Sequence, residues 1–147
     1  NIAYYDEFEK EILVWKAVGR NMAFSITQKG MCVTAPASFI SADLNVLKYL
    51  LGILHSQTLQ YIIYQSADTT GAGDLMLNNQ SLERLPIPKI TKENKNLVDE
   101  VINLVNQILE FKKQGKDTRK FELQIDNLIY KLYNLDTNEV KIIKNKA

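Results

Sequence analysis

The residue types that most often carry catalysis are few in this chain and lie far apart in the sequence. His55 is the single histidine and Cys32 the single cysteine. A catalytic thiol needs a histidine at hand to activate it, and a zinc site needs several cysteine or histidine ligands at short spacing. We therefore expect His55 to contact carbonyl groups at a helix end and Cys32 to be a small buried residue in an apolar strand. The sequence predicts neither a catalytic site nor a metal site in this chain.

Polar side chains around Gly19 favour recognition of another molecule over chemistry performed on it. Lys16, Arg20 and Asn21 flank this glycine, and these residue types supply the hydrogen-bonding groups that read guanine and adenine in the major groove of DNA. The glycine lets the backbone approach a ligand closely. An ordinary turn with a few exposed polar residues has the same composition, so the residues alone leave both interpretations open.

A second polar segment, residues 65–79, joins a predicted helix to a short apolar strand. Its Gly71-Ala72-Gly73 stretch lacks the third glycine of a dinucleotide-binding loop and follows a helix where that loop follows a strand, so we expect a flexible turn. Asp68 and Asp74 can accept from cytosine amino groups, or be solvated, or cap the loop locally. The other hydrogen-bonding side chains of the segment are further candidates for DNA contact: Gln65, Ser66, Thr69, Thr70, Asn78 and Asn79.

Composition and charge exclude several classes of protein. Hydrophobic residues make up 46% of the 147 residues, enough for the core of one domain with or without an appendage. No apolar run approaches the roughly 20 residues that a membrane span needs. The net charge is +1, with 7 Lys+Arg against 8 Asp+Glu in residues 1–90 and 11 against 9 in residues 91–147, which excludes nucleic-acid binding by charge alone. The single cysteine fits a reducing, cytoplasmic compartment, and the first residues predict a piece of a longer protein rather than a signal sequence.

The first third of the chain has the pattern of β-structure. Residues 11–16 mix β-branched and aromatic residues, which predicts a strand. Residues 22–27 and 31–34 are predicted to pair as a hairpin across a turn at residues 28–30. Residues 38–40 are predicted to form another short strand.

The middle of the chain is predicted to form two consecutive helices. Ser41 or Asp43 can cap the first helix, whose leucines recur on one face between residues 44 and 54. We expect Gly52 or the His55-Ser56 pair to kink or end this helix. Ser56 can then cap the second helix, which carries Leu59, Ile62, Ile63 and Tyr64.

Beyond the second helix we expect a loop over residues 67–74, a strand over residues 75–77, and an extended segment at Pro86-Ile87-Pro88, because each proline fixes its own φ and restricts its predecessor. Thr91 can cap the next helix.

Two apolar stripes after residue 90 predict an antiparallel helical hairpin with a connector over residues 112–117. Asp136 and Glu139 have the spacing of a capping box that opens a short last helix. A basic cluster at the hairpin tip is either a solvated turn or a phosphate contact. The stripes are Leu97, Val101, Leu104, Ile108 and Phe111, then Phe121, Ile125, Leu128, Leu132 and Leu135; the basic cluster is Lys112, Lys113, Lys116, Arg119 and Lys120.

These elements predict an α+β fold: a small β-sheet framework with packed helices, then an antiparallel helical hairpin and a short C-terminal helix. We expect residues 1–90 to form the recognition domain and residues 91–147 to form a helical spacer.

Four stretches in the same order resemble the TaqI-like C-terminal specificity domain of type IIG restriction–methylation enzymes. The resemblance spans nearly the whole chain. The stretches are residues 12–21 (ILVWKAVGRN), 47–56 (LKYLLGILHS), 82–88 (LERLPIP) and 125–135 (IDNLIYKLYNL).

The resemblance implies that residues 1–90 are a DNA target recognition domain, which reads a short double-stranded DNA sequence for an upstream adenine methyltransferase and often a nuclease of the same chain. The methyltransferase's Asn-Pro-Pro-Tyr signature does not occur in this sequence. The fragment is therefore expected to be non-catalytic and to hold no cofactor, while S-adenosylmethionine and Mg are implied for the parent enzyme. The alternative is a helical protein–protein interaction module that docks onto another subunit without DNA specificity.

Overall fold

In the part of the chain that the structure describes, four strands are followed by two helices, two further strands and four helices. The computed structural model describes residue 6 and residues 9–146. Two small antiparallel sheets lie within this part. The strands are β1 (Ile12–Lys16), β2 (Val18–Gly19), β3 (Phe24–Ile26), β4 (Ala37–Ser41), β5 (Asp68–Thr69) and β6 (Leu75–Met76). The helices are α1 (Leu44–His55), α2 (Gln57–Ser66), α3 (Asn79–Glu83), α4 (Lys95–Lys113), α5 (Arg119–Leu132) and α6 (Thr137–Lys146). The predicted α+β class is confirmed.

The first sheet has the order β3-β1-β4, with β1 in the centre. Trp15 pairs with Phe24 on one side and with Ser38 on the other. The predicted hairpin of residues 22–34 is wrong, because β3 pairs with β1 and residues 31–34 are not a strand. The physical reason is that residues 31–34 bring little apolar surface to bury beside β3, since Met31 is 52% exposed and Cys32 is also exposed.

The second sheet has the order β2-β6-β5 and includes two strands that the sequence did not predict, β2 and β5. β5 lies inside the segment expected to be a loop, and it pairs with β6. The two sheets are joined by Trp15, whose indole Nε1 donates to the carbonyl of Leu77 at 2.6 Å. The second sheet is thereby fixed to the buried side of the first.

Helices α1 and α2 begin and end close to their predicted positions. Asp43 caps α1 by accepting from the backbone N–H of Asn45 at 2.9 Å, and Ser56 Oγ accepts from Leu59 N at the start of α2. Helix α1 continues through Gly52 and ends at His55, so the His55-Ser56 pair is the one that ends it. Gly52 instead permits close packing, because a Cβ there would lie 2.8 Å from Val101 Cγ1 on α4.

The predicted helical hairpin is present as α4 and α5, and both helices also pack against α1. The rings of Phe111 and Phe121 meet edge to face near the hairpin tip, 4.9 Å apart. Buried residues from both sides of residue 90 belong to one hydrophobic cluster. The hairpin is therefore part of the same core as the strands and α1.

The helix that follows the proline segment starts later than predicted. Thr91 does not cap it: Thr91 N donates to Asn94 Oδ1 at 2.8 Å, and Asn94 itself precedes α4. Asn94 N also donates to Thr91 Oγ1 at 3.4 Å. These two bonds occupy the backbone N–H and the hydroxyl of Thr91 within the connecting turn, and the helix starts three residues later than predicted.

The Asp136–Glu139 capping box is confirmed, since Asp136 N donates to Glu139 Oε2 at 2.8 Å and Glu139 N donates to Asp136 Oδ1 at 2.9 Å.

None of the helices in the described part combines the length and the apolar character of a membrane span.

Candidate nucleic-acid interface

The turn formed by Arg20 and Asn21 directly follows β2 and is anchored to helix α2. The hydroxyl of Tyr64 lies 3.2 Å from the Arg20 carbonyl oxygen and 3.0 Å from Asn21 Oδ1, so the two acceptors share its single proton. Tyr64 is 48% exposed although its neighbour Ile63 is fully buried. The tyrosine therefore contributes its hydroxyl to the turn rather than its ring to the core.

A second turn, residues 70–74, connects β5 to β6 and is closed by its own hydrogen bonds. Thr70 N donates to the Asp74 carbonyl at 2.8 Å, and Asp74 N donates back to Thr70 Oγ1 at 3.1 Å. Gly73 has φ +83°, a conformation that glycine adopts without steric cost. The glycine-rich stretch is thus a tight turn, and it fixes the backbone of Asp74.

The two turns lie at the same end of the second sheet. Gly19 and Thr69 both pair with Leu75 in the central strand, which places the residues after β2 beside the residues before β6. Arg20 Nε lies 3.7 Å from Asp74 Oδ1, with the arginine side chain 89% exposed and the aspartate side chain 33% exposed. An ion pair this exposed adds little to stability, so its main effect is on the orientation of the arginine.

The register also separates the side chains of β5. Residues paired across neighbouring strands stand on the same face of a sheet. Thr69 therefore shares a face with Leu75 and Asp68 shares a face with Met76, and both residues of β5 are exposed.

Three other predicted contact residues lie at the opposite end of β6. Lys16 is exposed at the end of β1, next to the bond in which Leu77 N donates to the Ala17 carbonyl. Asn78 accepts from Ser81 N at 2.9 Å and so caps α3, and Asn79 Nδ2 donates to the Phe39 carbonyl at 3.3 Å. The structure therefore brings Arg20, Asn21, Thr69 and Thr70 together, and sets Lys16, Asn78 and Asn79 apart from them.

The remaining two predicted contact residues, Gln65 and Ser66, lie in the last turn of α2 and are exposed. Ser66 Oγ donates to the Ile62 carbonyl of its own helix at 2.7 Å. Two residues that contribute to the site have roles that the sequence did not predict, Tyr64 and Asp74. The only sequence signal for Tyr64 was a hydroxyl within an otherwise apolar helical stripe.

His55 and Cys32 have no arrangement suited to catalysis. His55 Nε2 lies 2.9 Å from the Phe24 carbonyl and 3.1 Å from Phe24 N, so either tautomer finds a partner on β3. The prediction of a carbonyl contact for His55 is confirmed. Cys32 is exposed, and the prediction that it is buried was wrong because residues 31–34 do not join the sheet. Within the described residues, no group of three His, Cys, Asp or Glu side chains has a metal-binding arrangement.

The basic cluster at the hairpin tip is largely occupied by contacts within the chain. Arg119 Nη2 lies 2.7 Å from Asp117 Oδ2, and the hydrogen bonds from Arg119 lower the pKa of Asp117 to about 2. Three lysines of the cluster are also engaged: Lys112 with Glu122, Lys113 with Glu110, and Lys116 over the ring of Phe111. The tip therefore presents a mixture of paired charges rather than a set of unpaired cations.

A cavity of about 620 Å³ lies between β3, α1, α4 and α5. Its wall includes Asp126, whose Oδ1 accepts from the backbone N–H of Gln57 at 2.8 Å. Burial raises the pKa of Asp126. The amide oxygen of Gln57 in turn accepts from the Tyr130 hydroxyl at 2.9 Å. These hydrogen bonds join α2 to α5 at one side of the cavity.

No protein-family model matches the chain, and the search of curated proteins also found no match. The features that bear on the function of this chain are the two turns and the residues that hold them.

Proposed function

We propose that this chain is a sequence-specific reader of double-stranded DNA, and that it directs other parts of a longer restriction–modification protein to their target. The observation that carries the proposal is the pairing of the two polar turns, residues 19–21 and 70–74, on one small sheet. Their proximity is set by the pairing of Gly19 and Thr69 with Leu75 in the central strand, and it brings Arg20 Nε to 3.7 Å from Asp74 Oδ1. The resemblance to type IIG specificity domains favours the same function.

The anchoring of both turns supports recognition rather than loose electrostatic attraction. The turn of Arg20 and Asn21 is held by Tyr64 at 3.2 and 3.0 Å, and the turn from Thr70 to Asp74 is held by its own backbone. Preorganised polar groups lose less entropy on binding than mobile ones. Each good pairing with a base edge contributes about 1–3 kcal/mol of discrimination, so a few such contacts specify a short site.

The charge distribution indicates that phosphate binding is shared with other parts of the parent protein. The chain has a net charge of +1, and phosphate neutralisation by Lys and Arg supplies most non-specific DNA affinity. We propose that an upstream methyltransferase, and a nuclease where one is present, contribute those contacts in the cytoplasm. S-adenosylmethionine and Mg then belong to those catalytic parts, and the present chain acts without catalysing a reaction.

A selection experiment tests this function directly. The 147-residue chain is incubated with random duplex DNA, and bound sequences are recovered over rising salt concentrations. We expect a short common motif that persists after charge attraction has been screened. Recovery of random sequence at every salt concentration contradicts the proposal.

Two variants separate a specific face from a general effect of charge. The double substitution Arg20→Ala with Asn21→Ala is expected to abolish the motif. Lys95→Ala removes the same charge from α4, where Lys95 pairs with Asp99 at 2.8 Å, and is expected to retain the motif. Equal behaviour of the two variants would contradict the assignment of the face.

The alternative function, docking of the helical hairpin on another subunit, has less support. The two apolar stripes that prompted it pack against each other and against α1 inside this chain. A partner would therefore meet the polar outer faces of α4 and α5. Analytical ultracentrifugation with cell extract fractions would favour docking if the chain formed a stable complex and selected no DNA motif.

A further inference from the structure

We infer that Arg20 reads a guanine base, and that Asp74 is a positioning residue that holds the arginine in the orientation which this contact requires. The inference rests on the proposed DNA-reading function and adds to it the base that the two turns select.

The ion pair between Arg20 and Asp74 is formed at the Nε edge of the guanidinium. The Nε atom of Arg20 lies 3.7 Å from Asp74 Oδ1. Guanine is read by two N–H donors that reach its O6 and N7 acceptors together. Because a guanidinium is a rigid planar fork, a carboxylate near Nε leaves the two terminal amino groups for those acceptors. The side chain is 89% exposed, so this end of the fork projects into solvent.

Both partners of the ion pair are fixed through their backbones. Asp74 closes the turn through its N–H and its carbonyl, each bonded to Thr70. The carbonyl of Arg20 is held by the hydroxyl of Tyr64 on α2. The carboxylate is thus presented from one strand connection and the backbone of Arg20 from another, so the two side chains start from fixed positions and the carboxylate charge attracts the guanidinium to its own side.

A phosphate is the other acceptor that suits a forked guanidinium, and the two contacts have different consequences. A phosphate contact strengthens binding to all sequences equally and increases the salt dependence of the affinity. A guanine contact strengthens binding only where guanine occupies one position. The carboxylate of Asp74 favours the base contact, because a negative charge beside the arginine opposes the approach of a phosphate.

The experiment measures the affinity of variants of the 147-residue chain for the duplex that the wild type selects. It also measures their affinity for duplexes in which each base pair of the motif is replaced, one position at a time, by each of the three other base pairs. Arg20→Lys keeps the charge and loses the fork. Asp74→Asn removes the orienting charge with little change in shape, and Asp74→Glu restores it. Glu83→Gln removes the same charge from an exposed position on α3 and serves as the matched control.

For the wild type we expect one position of the motif to require guanine. Arg20→Ala is expected to lose a preference of roughly 5- to 150-fold at that position alone, and Arg20→Lys, which keeps the charge without the fork, to lose part of it. Asp74→Asn is expected to reduce the same preference without weakening binding to non-cognate duplex, and Asp74→Glu to recover part of it. Glu83→Gln is expected to leave the base preference unchanged. A purely structural role for Asp74 would instead lower the unfolding midpoint and the affinity for all duplexes together.

Three results would overturn the inference, and they differ from one another. If Arg20→Lys preserves every base preference while Arg20→Ala weakens all duplexes equally, Arg20 is a phosphate contact and the DNA-reading function still stands. If Asp74→Asn behaves like Glu83→Gln, Asp74 does not orient the arginine. If the wild type selects no motif, the proposed function fails and the inference fails with it.

Discussion

Substitution of Gly52 by alanine tests the packing that joins the helical hairpin to the rest of the molecule. An added Cβ would lie 2.8 Å from Val101 Cγ1 and 2.9 Å from Val105 Cγ2. Both valines are buried, and valine in a helix has one strongly preferred rotamer, so neither methyl group can turn away. Overpacking a core costs about 1–3 kcal/mol, and alanine regains about 1 kcal/mol of helix propensity over glycine. We expect Gly52→Ala to lower the free energy of unfolding by up to about 2 kcal/mol.

Urea denaturation of the whole chain measures this effect, and a double-mutant cycle identifies its cause. In a Val101→Ala background the nearest clashing methyl group is gone, so Gly52→Ala should cost about 1 kcal/mol less than it does in the wild type. Gly71→Ala is the control, because its added Cβ meets no atom within 4 Å; it should change stability by less than about 0.5 kcal/mol. A Gly52→Ala variant as stable as the wild type, with no coupling to Val101, would show that α4 does not approach α1 this closely.

Three further predictions follow from single contacts. Trp15→Phe removes the buried donor to the Leu77 carbonyl and should lower the free energy of unfolding by about 1–3 kcal/mol; a change below about 0.5 kcal/mol in urea denaturation would contradict the role of this bond. Burial raises the pKa of Asp126, so its charged form is disfavoured in the folded state. The wild type should therefore lose stability relative to Asp126→Asn as the pH rises from the ordinary aspartate pKa through the raised value. Parallel curves of unfolding free energy against pH for the two proteins would refute this. Tyr64→Phe should leave the unfolding midpoint nearly unchanged, because the ring is half exposed, and should weaken the selected DNA motif through the loss of the Arg20 anchor; an unchanged motif would remove Tyr64 from the site.

Helices were the elements that the sequence predicted best, because their signals are local. Asp43, Ser56 and Asp136 each cap the helix that follows them, and a cap together with a periodic apolar stripe lies within a few residues of sequence. The start of α4 was misplaced at Thr91 because Thr91 and Asn94 bond to each other within the turn that precedes the helix.

Strand pairing was harder to predict because it depends on partners far away in the sequence. Residues 31–34 are apolar enough to resemble a strand, yet they do not pair with β3, which pairs instead with β1, a strand that lies earlier in the chain. The two residues of β5 carry no strand signal of their own, and they pair because β6 returns beside them.

In the candidate site, too, local signals were predicted and contacts between residues far apart in the sequence were not. The sequence identified Arg20 and Asn21 from their types and from the glycine before them. It did not identify Tyr64 as their anchor, because that contact spans more than 40 residues. The partner of Arg20 was also hidden, since Asp74 is brought near only by the pairing of β2 with β6.

The most direct measurement of the central claim is a map of backbone amide chemical shifts of the whole chain, with and without duplex DNA carrying the selected motif. We expect the largest changes at residues 19–21 and 69–74, with residues 110–122 at the hairpin tip nearly unchanged. Changes concentrated at the hairpin tip, or changes that are the same for a scrambled duplex, would contradict the account.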